Sequence, residues 1–255
     1  MGDGDRQGGL GVWAPKVTPP APELTDEQQL ACAFRILAID GFCENLAGHI
    51  TWQRPGQENL LVNPWGLWWR EITASDICEV DMDAQVVGGR WDVTPAIHIH
   101  TELHRKRPDA RVVIHNHPYW ATVLSAVGIL PILVNQTGAI FYDDLVLVEE
   151  YGGEVDSPLL GAELADAVGD APVAILANHG VIVTGATVAE AMYRAASLDR
   201  VCRSAYDVLL MGKDPLQMPP GAVKGIKQSF LERAVDVYWA GATRLLIKDE
   251  PEVLS

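Results

Sequence analysis

The stretch RVVIHNHPYW, residues 111–120, is an apolar run that ends in two histidines, His115 and His117, separated by one residue. Side chains alternate between the two faces of a β-strand, so a strand here places both imidazoles on one face and Asn116 on the other. Two ring nitrogens on one face can bind the same metal ion, but such a pair can equally be structural. Other parts of the chain have to distinguish these two interpretations.

The chain has 255 residues, a formal net charge of −15 and 48% hydrophobic residues. This length fits one large domain with a sizeable core. The negative charge argues against nucleic acid or an anionic membrane as the main partner, and no segment approaches the roughly 18 consecutive apolar residues of a spanning helix. The four cysteines form no CxxC pair, and the N-terminus does not resemble a signal peptide, so we predict buried free thiols in a cytoplasmic protein.

Strand-like and helix-like segments alternate along the chain. Residues 1–23, rich in Gly and Pro, predict a flexible N-terminal arm, and residues 24–255 predict a single layered α/β domain. Strands are predicted at 49–53, 59–63, 77–82, 85–87, 111–116, 129–135, 145–150, 173–178 and 181–185. Helices are predicted at 25–40, 94–107, 118–127, 157–169, 187–211 and 222–246, the first with a capping box at Thr25 and Gln28 and the second opened by Thr94 and Pro95.

His179 strengthens the metal interpretation of the pair, because it also lies where a predicted strand ends, just before Gly180. Three strand-end histidines are typical of an open metal site that leaves coordination positions for substrate. A second group lies on the helix after Pro95, where His100 and His104 are one turn apart and share a face. This group is either a partly buried polar face or the source of an acid/base or substrate-binding group in the cleft.

Four segments of the chain together resemble the class II aldolase/adducin family. They are RPDARVVIHNHP, AILANHGVIVTGATVAEA, GHITWQRPG and EITASDICEVDMDAQVV, and the similarity covers about residues 25–212. The resemblance implies a three-layer α/β/α sandwich around a central, largely antiparallel sheet. It implies that His115, His117 and His179 bind a divalent metal ion, with zinc expected and manganese, cobalt or iron as alternatives. It also implies a homotetramer with active sites at subunit interfaces, to which Tyr142 of a neighbouring chain would contribute.

The sequence departs from the family pattern at two places. Sugar-phosphate aldolases of the family carry a catalytic glutamate nineteen residues before the first histidine of the pair, and here that position is Ala96. The family's Gly-Asn phosphate loop appears as Gly48-His49, and its Thr-Gly segment as Asn63-Pro64-Trp65-Gly66. The bulky Trp65 leaves little room for a phosphate. Both departures argue against a sugar-phosphate substrate and against the standard aldolase proton transfer.

The leading hypothesis is a metal-dependent lyase that cleaves a C–C bond of a small, non-phosphorylated, hydroxy or oxo acid by decarboxylation or retro-aldol reaction. Decarboxylation tolerates Ala96 better, because it needs no base to deprotonate a hydroxyl in the way retro-aldol cleavage does. His100 is the predicted acid/base, with Tyr142 as the second candidate. Gly48, His49, Thr51 and Trp65 are the predicted substrate-binding residues. Trp65 and its neighbouring tryptophans would either favour a planar or aromatic substrate or belong to the core or a subunit contact.

Two other functions remain open at this point. Three neutral histidines can hold ferrous iron with positions left for substrate and O₂, so a mononuclear iron oxygenase of an aromatic 2-oxo acid is the first alternative. A non-catalytic, adducin-like scaffold is the second, although a scaffold has no need for an open metal site. Metal content and oxygen uptake distinguish the three.

Overall fold

The computed structural model describes residues 17–150 and 152–255 of the chain. Its strands are β1 His49–Gln53, β2 Leu60–Val62, β3 Cys78–Val80, β4 Val86–Gly88, β5 Val112–Asn116, β6 Leu145–Val148, β7 Val173–Leu176 and β8 Gly180–Gly185. They form one sheet in the order β4-β3-β2-β1-β5-β8-β7-β6. Each adjacent pair in this sheet is antiparallel except β6 and β7, which are parallel. The predicted central, largely antiparallel sheet is confirmed.

Helices cover both faces of this sheet. They are α1 Asp26–Ile39, α2 His98–Lys106, α3 Tyr119–Ser125, α4 Pro158–Val168, α5 Val188–Leu210 and α6 Pro220–Asp249. Helices α2 and α4 pack on one face, and α1, α3, α5 and α6 pack on the other. This arrangement is the three-layer α/β/α sandwich that the resemblance implied.

The alternation of side chains along β5 determines which layer each residue meets. Val113 packs with Ile99 and Leu103 of α2, whereas Ile114 belongs to the core cluster that includes α1 and α5. By the same alternation the ring of His115 lies on the α2 face of the sheet. The histidines of α2 therefore lie on the same side of the sheet as the first histidine of the pair.

The predicted starts of the first two helices are confirmed by their capping contacts. The backbone amide of Gln28 donates to Oγ1 of Thr25 at 3.3 Å, and the Thr25 amide donates to Oε1 of Gln28 at 3.0 Å. The Thr94 hydroxyl accepts from the backbone amide of Ala96 at 3.2 Å, in a short 3-10 turn that runs directly into α2. Gly41, just beyond α1, has a φ of +77°, a left-handed conformation that costs glycine little.

The strand predicted at residues 129–135 is wrong, because this apolar segment has no regular secondary structure. Pro131 lacks an amide hydrogen for a sheet ladder. Ile132 and Leu133 instead pack against the core as part of an irregular connection. An apolar run thus predicted burial correctly and secondary structure incorrectly.

The predicted N-terminal arm is described only in part. Residues 17–23 have no regular secondary structure, and Nη1 of Arg244 in α6 donates to the carbonyl oxygens of Pro19 and Pro20 at 3.1 and 2.8 Å. Residues 1–16 lie outside the described residues, so the flexibility of the arm stays a prediction. Within the described residues, no helix has both the length and the apolar character needed to cross a membrane.

The four cysteines are free thiols in the structure. Cys32, Cys78 and Cys202 are buried, and Cys43 is partly buried. Burial raises the pKa of the Cys32 thiol to about 12. Thiols held in the neutral form behave as small apolar side chains and are poor nucleophiles.

Candidate active site

His115, His117 and His179 meet at one end of the sheet. His115 lies on β5, His117 follows that strand directly, and His179 lies in the turn between β7 and β8. Each contributes a ring nitrogen, and these atoms all lie within 4.8 Å of one another. The structure therefore brings together the three residues that the sequence selected as metal ligands.

The Asn178-His179-Gly180 turn has a local geometry that explains its sequence. Asn178 has a φ of +56°, a left-handed conformation in which asparagine is enriched. A Cβ on Gly180 would lie 2.4 Å from the carbonyl oxygen of Asn116 and 2.5 Å from Cδ2 of His117. Only glycine lets this turn pack closely enough against the end of β5 to bring His179 beside the pair.

Hydrogen bonds at Nδ1 orient two of the three rings. Nδ1 of His115 lies 3.0 Å from the carbonyl oxygen of Val181, which can only accept, so His115 carries its proton there. Nδ1 of His117 lies 2.7 Å from Oε2 of Glu44. A carboxylate or carbonyl acceptor at one ring nitrogen fixes the tautomer and leaves the other nitrogen as a ligand.

The site fits a metal ion. Nε2 of His117 is buried and has no hydrogen-bond partner among the described residues. An orphaned ring nitrogen of this kind is costly unless a ligand satisfies it. Burial, together with the neighbouring histidines, lowers the pKa of His115 well below its usual value, and burial and His117 lower the pKa of His179 to about 4. Both rings are therefore neutral near pH 7, which is the form that binds a metal ion.

A second row of polar side chains lies behind the three histidines. Nδ1 of His49 is 2.7 Å from Nε2 of His100, and Nδ1 of His100 is 2.7 Å from Oγ1 of Thr51. The same hydroxyl lies 2.8 Å from Nε2 of His104. The ring of His49 stacks on that of His115, with centroids 5.1 Å apart and planes 28° apart. One connected row thus leads from the three clustered histidines into the interior.

The predicted acid/base, His100, has no exposed surface, and both of its ring nitrogens have partners. It lies behind His49, and its hydrogen bonds within the described residues are to His49 and Thr51. The predicted substrate-binding residue Thr51 is also fully buried, with its hydroxyl between two imidazoles. His49 is 5% exposed and is the member of this row nearest the three histidines.

Gly48 lies where the chain passes close to the end of β5. Its φ is +96°, and a Cβ there would lie 2.7 Å from Cγ of Asn116 and 2.9 Å from the Trp69 ring. Nε1 of Trp69 donates to the Gly48 carbonyl oxygen at 3.2 Å. Trp65 is 54% exposed, and no contact joins it to the three histidines in the part of the chain that the structure describes.

Tyr142 lies at the opposite end of the sheet from the histidines of its own chain. It precedes β6, which runs parallel to β7, whereas His179 follows the far end of β7. Its carbonyl oxygen accepts from Nζ of Lys227 at 2.7 Å, and its ring lies 5.8 Å from Nζ of Lys224. A role for Tyr142 would have to be in a neighbouring chain, which stays a prediction.

Sequence reasoning missed Glu44, Thr51 as a link between imidazoles, and an apolar cavity beside His179. That cavity has a volume of about 120 Å³ and is lined by Val148, Glu150, Leu160, Glu163, Leu164 and His179, among others. Glu44 carries no local signal, because its partner is 73 residues away in the chain. The histidine spacing on α2 did indicate that His100 and His104 share a face, but not what they face.

A family model described as the Class II Aldolase and Adducin N-terminal domain matches residues 28–206. A putative aldolase class 2 protein of Caulobacter vibrioides is 29% identical over 231 residues, covering 87% of this chain and 89% of that protein. A 3,4-dihydroxyphthalate decarboxylase of Arthrobacter keyseri is 31% identical over 238 residues, covering 89% and 90%.

The structure is similar to that of an L-fuculose 1-phosphate aldolase from Glaciozyma antarctica PI12, with a TM-score of 0.79 and 23% identity over 90% of this chain and 91% of that one. At this level of identity the likeness concerns the fold alone. It agrees with the three-layer architecture described above.

Proposed function

The chain belongs to the class II aldolase and adducin family, and from that premise we propose that it is a metal-dependent carbon–carbon lyase that decarboxylates a small, non-phosphorylated aromatic hydroxy acid. The observation that carries the proposal is the group of three histidines with His49 beside it, while Ala96 stands where family aldolases carry their glutamate. The name of the Arthrobacter relative supports a hydroxylated aromatic acid as the substrate class.

His115, His117 and His179 would hold the divalent metal ion, and zinc is the ion we propose first. When bound, the ion supplies positive charge next to the substrate oxygen that collects the electron pair left by C–C cleavage. Glu44 and the Val181 carbonyl hold two of the rings with Nε2 available. Three ligands leave coordination positions for substrate oxygens, as in other catalytic sites of this kind.

The reaction replaces CO₂ on the substrate carbon by one proton, which comes ultimately from solvent. His49 is the imidazole placed to exchange a proton with a bound substrate, and His100 acts through it because it is fully buried. We therefore assign His100, the predicted acid/base, to the row behind the substrate. Tyr142 of a neighbouring chain is the further candidate, which presupposes the homotetramer that we also propose.

Several features support a small aromatic acid without a phosphate group, and not a sugar phosphate, as the substrate. No arginine or lysine belongs to the group of residues that contact the three histidines within the described parts of the chain. Gly48 is packed against Asn116 and Trp69 and leaves no room for a side chain there. The free cysteines support the cytoplasmic location that we propose.

The test combines metal analysis with a decarboxylation assay. Protein purified anaerobically without a metal-leaching tag would be analysed for metal and then incubated with a panel of mono- and dihydroxylated benzoic and phthalic acids, with CO₂ release as the readout. We expect about one metal ion per chain and turnover of at least one acid. His115→Ala should lose both, whereas His100→Asn should keep the metal and lose turnover.

The same experiment separates the alternative functions. Iron together with oxygen uptake on an aromatic 2-oxo acid would replace the lyase by an oxygenase. Metal-free protein that releases no CO₂ after reconstitution would favour a scaffold. Cleavage of a hydroxy acid to a carbonyl product without CO₂ would favour the retro-aldol reaction, and full activity of His100→Asn would refute the role of that residue.

A further inference from the structure

The direction of each hydrogen bond can be worked out by counting protons in the row formed by His49, His100, Thr51 and His104. Each neutral imidazole has one N–H and one acceptor nitrogen, and the threonine hydroxyl donates once. The three contacts of the row, at 2.7, 2.7 and 2.8 Å, are all short enough to be hydrogen bonds. The Thr51 oxygen can also accept twice, so the His49 end alone does not fix every donor, whereas a proton on Nδ1 of His104 leaves Nε2 as an acceptor and fixes the donors along the whole row.

The three imidazoles of the row are buried, and no carboxylate contacts them within the described residues. A charge buried without a counter-ion is costly, so the neutral form of each ring is favoured. A protonated imidazole would change the number of donors in the row, since an imidazolium donates from both nitrogens and accepts at neither. Three arrangements are therefore available: all donors directed toward His104, all donors directed toward His49, or both His100 Nδ1 and His104 Nε2 donating to the Thr51 oxygen, in which His49 again donates from Nδ1.

The surroundings of the two ends select the first arrangement. At the inner end, Nδ1 of His104 has no partner with full hydrogen-bond geometry among the described residues, and the nearby polar group that acts on it is the backbone of Ala110, as an acceptor. An N–H faces such an acceptor favourably and a lone pair does not. At the outer end, His49 lies against the three histidines that are placed to hold a cation, and a lone pair is favoured toward positive charge.

We infer that Thr51 and His104 are positioning residues that hold His49 with its proton on Nδ1. Nε2 of His49 then presents a lone pair beside the metal-binding histidines and selects a substrate with a hydroxyl next to its metal-binding oxygen. In this arrangement His49 Nδ1 donates to His100 Nε2, His100 Nδ1 donates to Thr51 Oγ1, and the Thr51 hydroxyl donates to His104 Nε2. The substrate part of the inference rests on the proposed function; the tautomer does not.

The position of His49 explains why its tautomer affects specificity. Its Nε2 makes no hydrogen bond within the described part of the chain, and it does not belong to the group of three nitrogens that lie within 4.8 Å of one another. It is therefore an acceptor beside the metal site and not one of its ligands. An ortho-hydroxylated aromatic acid supplies the donor that this acceptor needs, whereas the corresponding methoxy acid does not.

Nitrogen NMR of protein labelled in its histidine rings tests the tautomer directly, because a protonated ring nitrogen and an unprotonated one resonate far apart. Zinc-loaded wild-type protein should show His49 protonated at Nδ1 and unprotonated at Nε2, with the signal assigned by its loss in His49→Asn. Thr51→Val keeps the shape of the side chain and removes the link, so the His49 signals should shift toward a mixture of tautomers. Thr51→Ser should restore the wild-type pattern.

Thr101 provides a matched control for the loss of a buried hydroxyl. It lies next to His100 on α2, is fully buried, and its Oγ1 has no partner among the described residues. Thr101→Val should therefore leave the histidine spectrum unchanged. If Thr51→Val does not fold, the wild-type spectrum alone still decides the tautomer, and a proton on Nε2 of His49 would overturn the inference.

The substrate part is tested with a hydroxy acid that the enzyme decarboxylates and its methoxy counterpart. We expect kcat/KM for the methoxy acid to be roughly ten- to a hundred-fold lower in the wild type, and this discrimination to shrink in Thr51→Val with metal content unchanged. Equal turnover of both acids would overturn the specificity role. If no acid is turned over, the proposed function fails, while the NMR result still stands for the row itself.

Discussion

Gly180→Ala adds one methyl group at a position where the structure leaves no room for it. The new Cβ would lie 2.4 Å from the Asn116 carbonyl oxygen and 2.5 Å from Cδ2 of His117. Close C···O contacts in proteins are about 3.3 Å, so the two segments must separate by roughly 0.9 Å. These two atoms lie at the end of β5 and in the residue directly after it, and neither is the far end of a long flexible side chain that could turn aside.

This separation should affect stability and metal binding to different degrees. Overpacking of a well-packed site costs about 1–3 kcal/mol, which for a domain of this size lowers Tm by roughly 2–12 °C. Metal ligation tolerates only about 0.2 Å of misplacement, and the His117 ring is itself displaced by the methyl group. We therefore expect metal content to fall well below one ion per chain while most of the protein is still folded.

The assay is metal analysis and thermal unfolding of Gly180→Ala beside Gly225→Ala. Gly225 lies in α6, and a Cβ there meets nothing within 4 Å, so alanine at this position should leave metal content unchanged and be neutral or stabilising by about 0.5–1 kcal/mol. Wild-type metal content and an unchanged Tm in Gly180→Ala would refute the account of the Asn178-His179-Gly180 turn.

Three further predictions follow from the same site. Glu44→Ala should weaken metal binding about 10- to 100-fold, measured by competition with a chelating dye, because it removes the acceptor that orients His117. Metal at about 1,000 times its Kd should stabilise the protein by about 4 kcal/mol, raising Tm by roughly 10 °C over the chelator-treated protein. Burial lowers the pKa of His104 to about 4, whereas in the unfolded chain this histidine has its usual pKa. Between these two pH values the unfolded chain binds one proton more than the folded protein, so the stability of metal-free protein should be complete above the usual pKa and fall as the pH drops toward 4, by on the order of 3 kcal/mol from this group. In denaturant titrations, His104→Phe should show a shallower dependence of stability on pH.

Much of the fold could be predicted from local patterns. The helix starts at Thr25 and Thr94 carry capping signals that act within three residues, and the apolar run before His115 has the alternation of a strand. The failure at residues 129–135 has a physical cause, since apolar residues around Pro131 indicate burial without specifying a ladder partner. Length and apolar content could not distinguish a packed loop from a strand there.

The cluster of three histidines could be predicted because each of them stands at a strand end, where a local pattern marks it; its metal-binding role stays a prediction. The row behind it could not, because its members come from β1 and α2 and meet only through the pairing of β1 with β5. In that pairing His49 lies opposite His115, and Thr51 lies opposite Val113. A slip of one residue would turn both side chains to the other face of the sheet.

This dependence on register connects the two departures from the family pattern that the sequence showed separately. Gly48-His49 in place of Gly-Asn puts an imidazole on the face that α2 covers, directly against His115. An imidazole buried there needs a partner for its inner nitrogen, and His100 of α2 supplies it at 2.7 Å. Ala96, just before α2, removes the glutamate from the same side of the site. In this chain the position where the family's aldolases carry a glutamate is thus an alanine just before the helix that supplies two imidazoles of the row, and the row itself lies beside the three histidines.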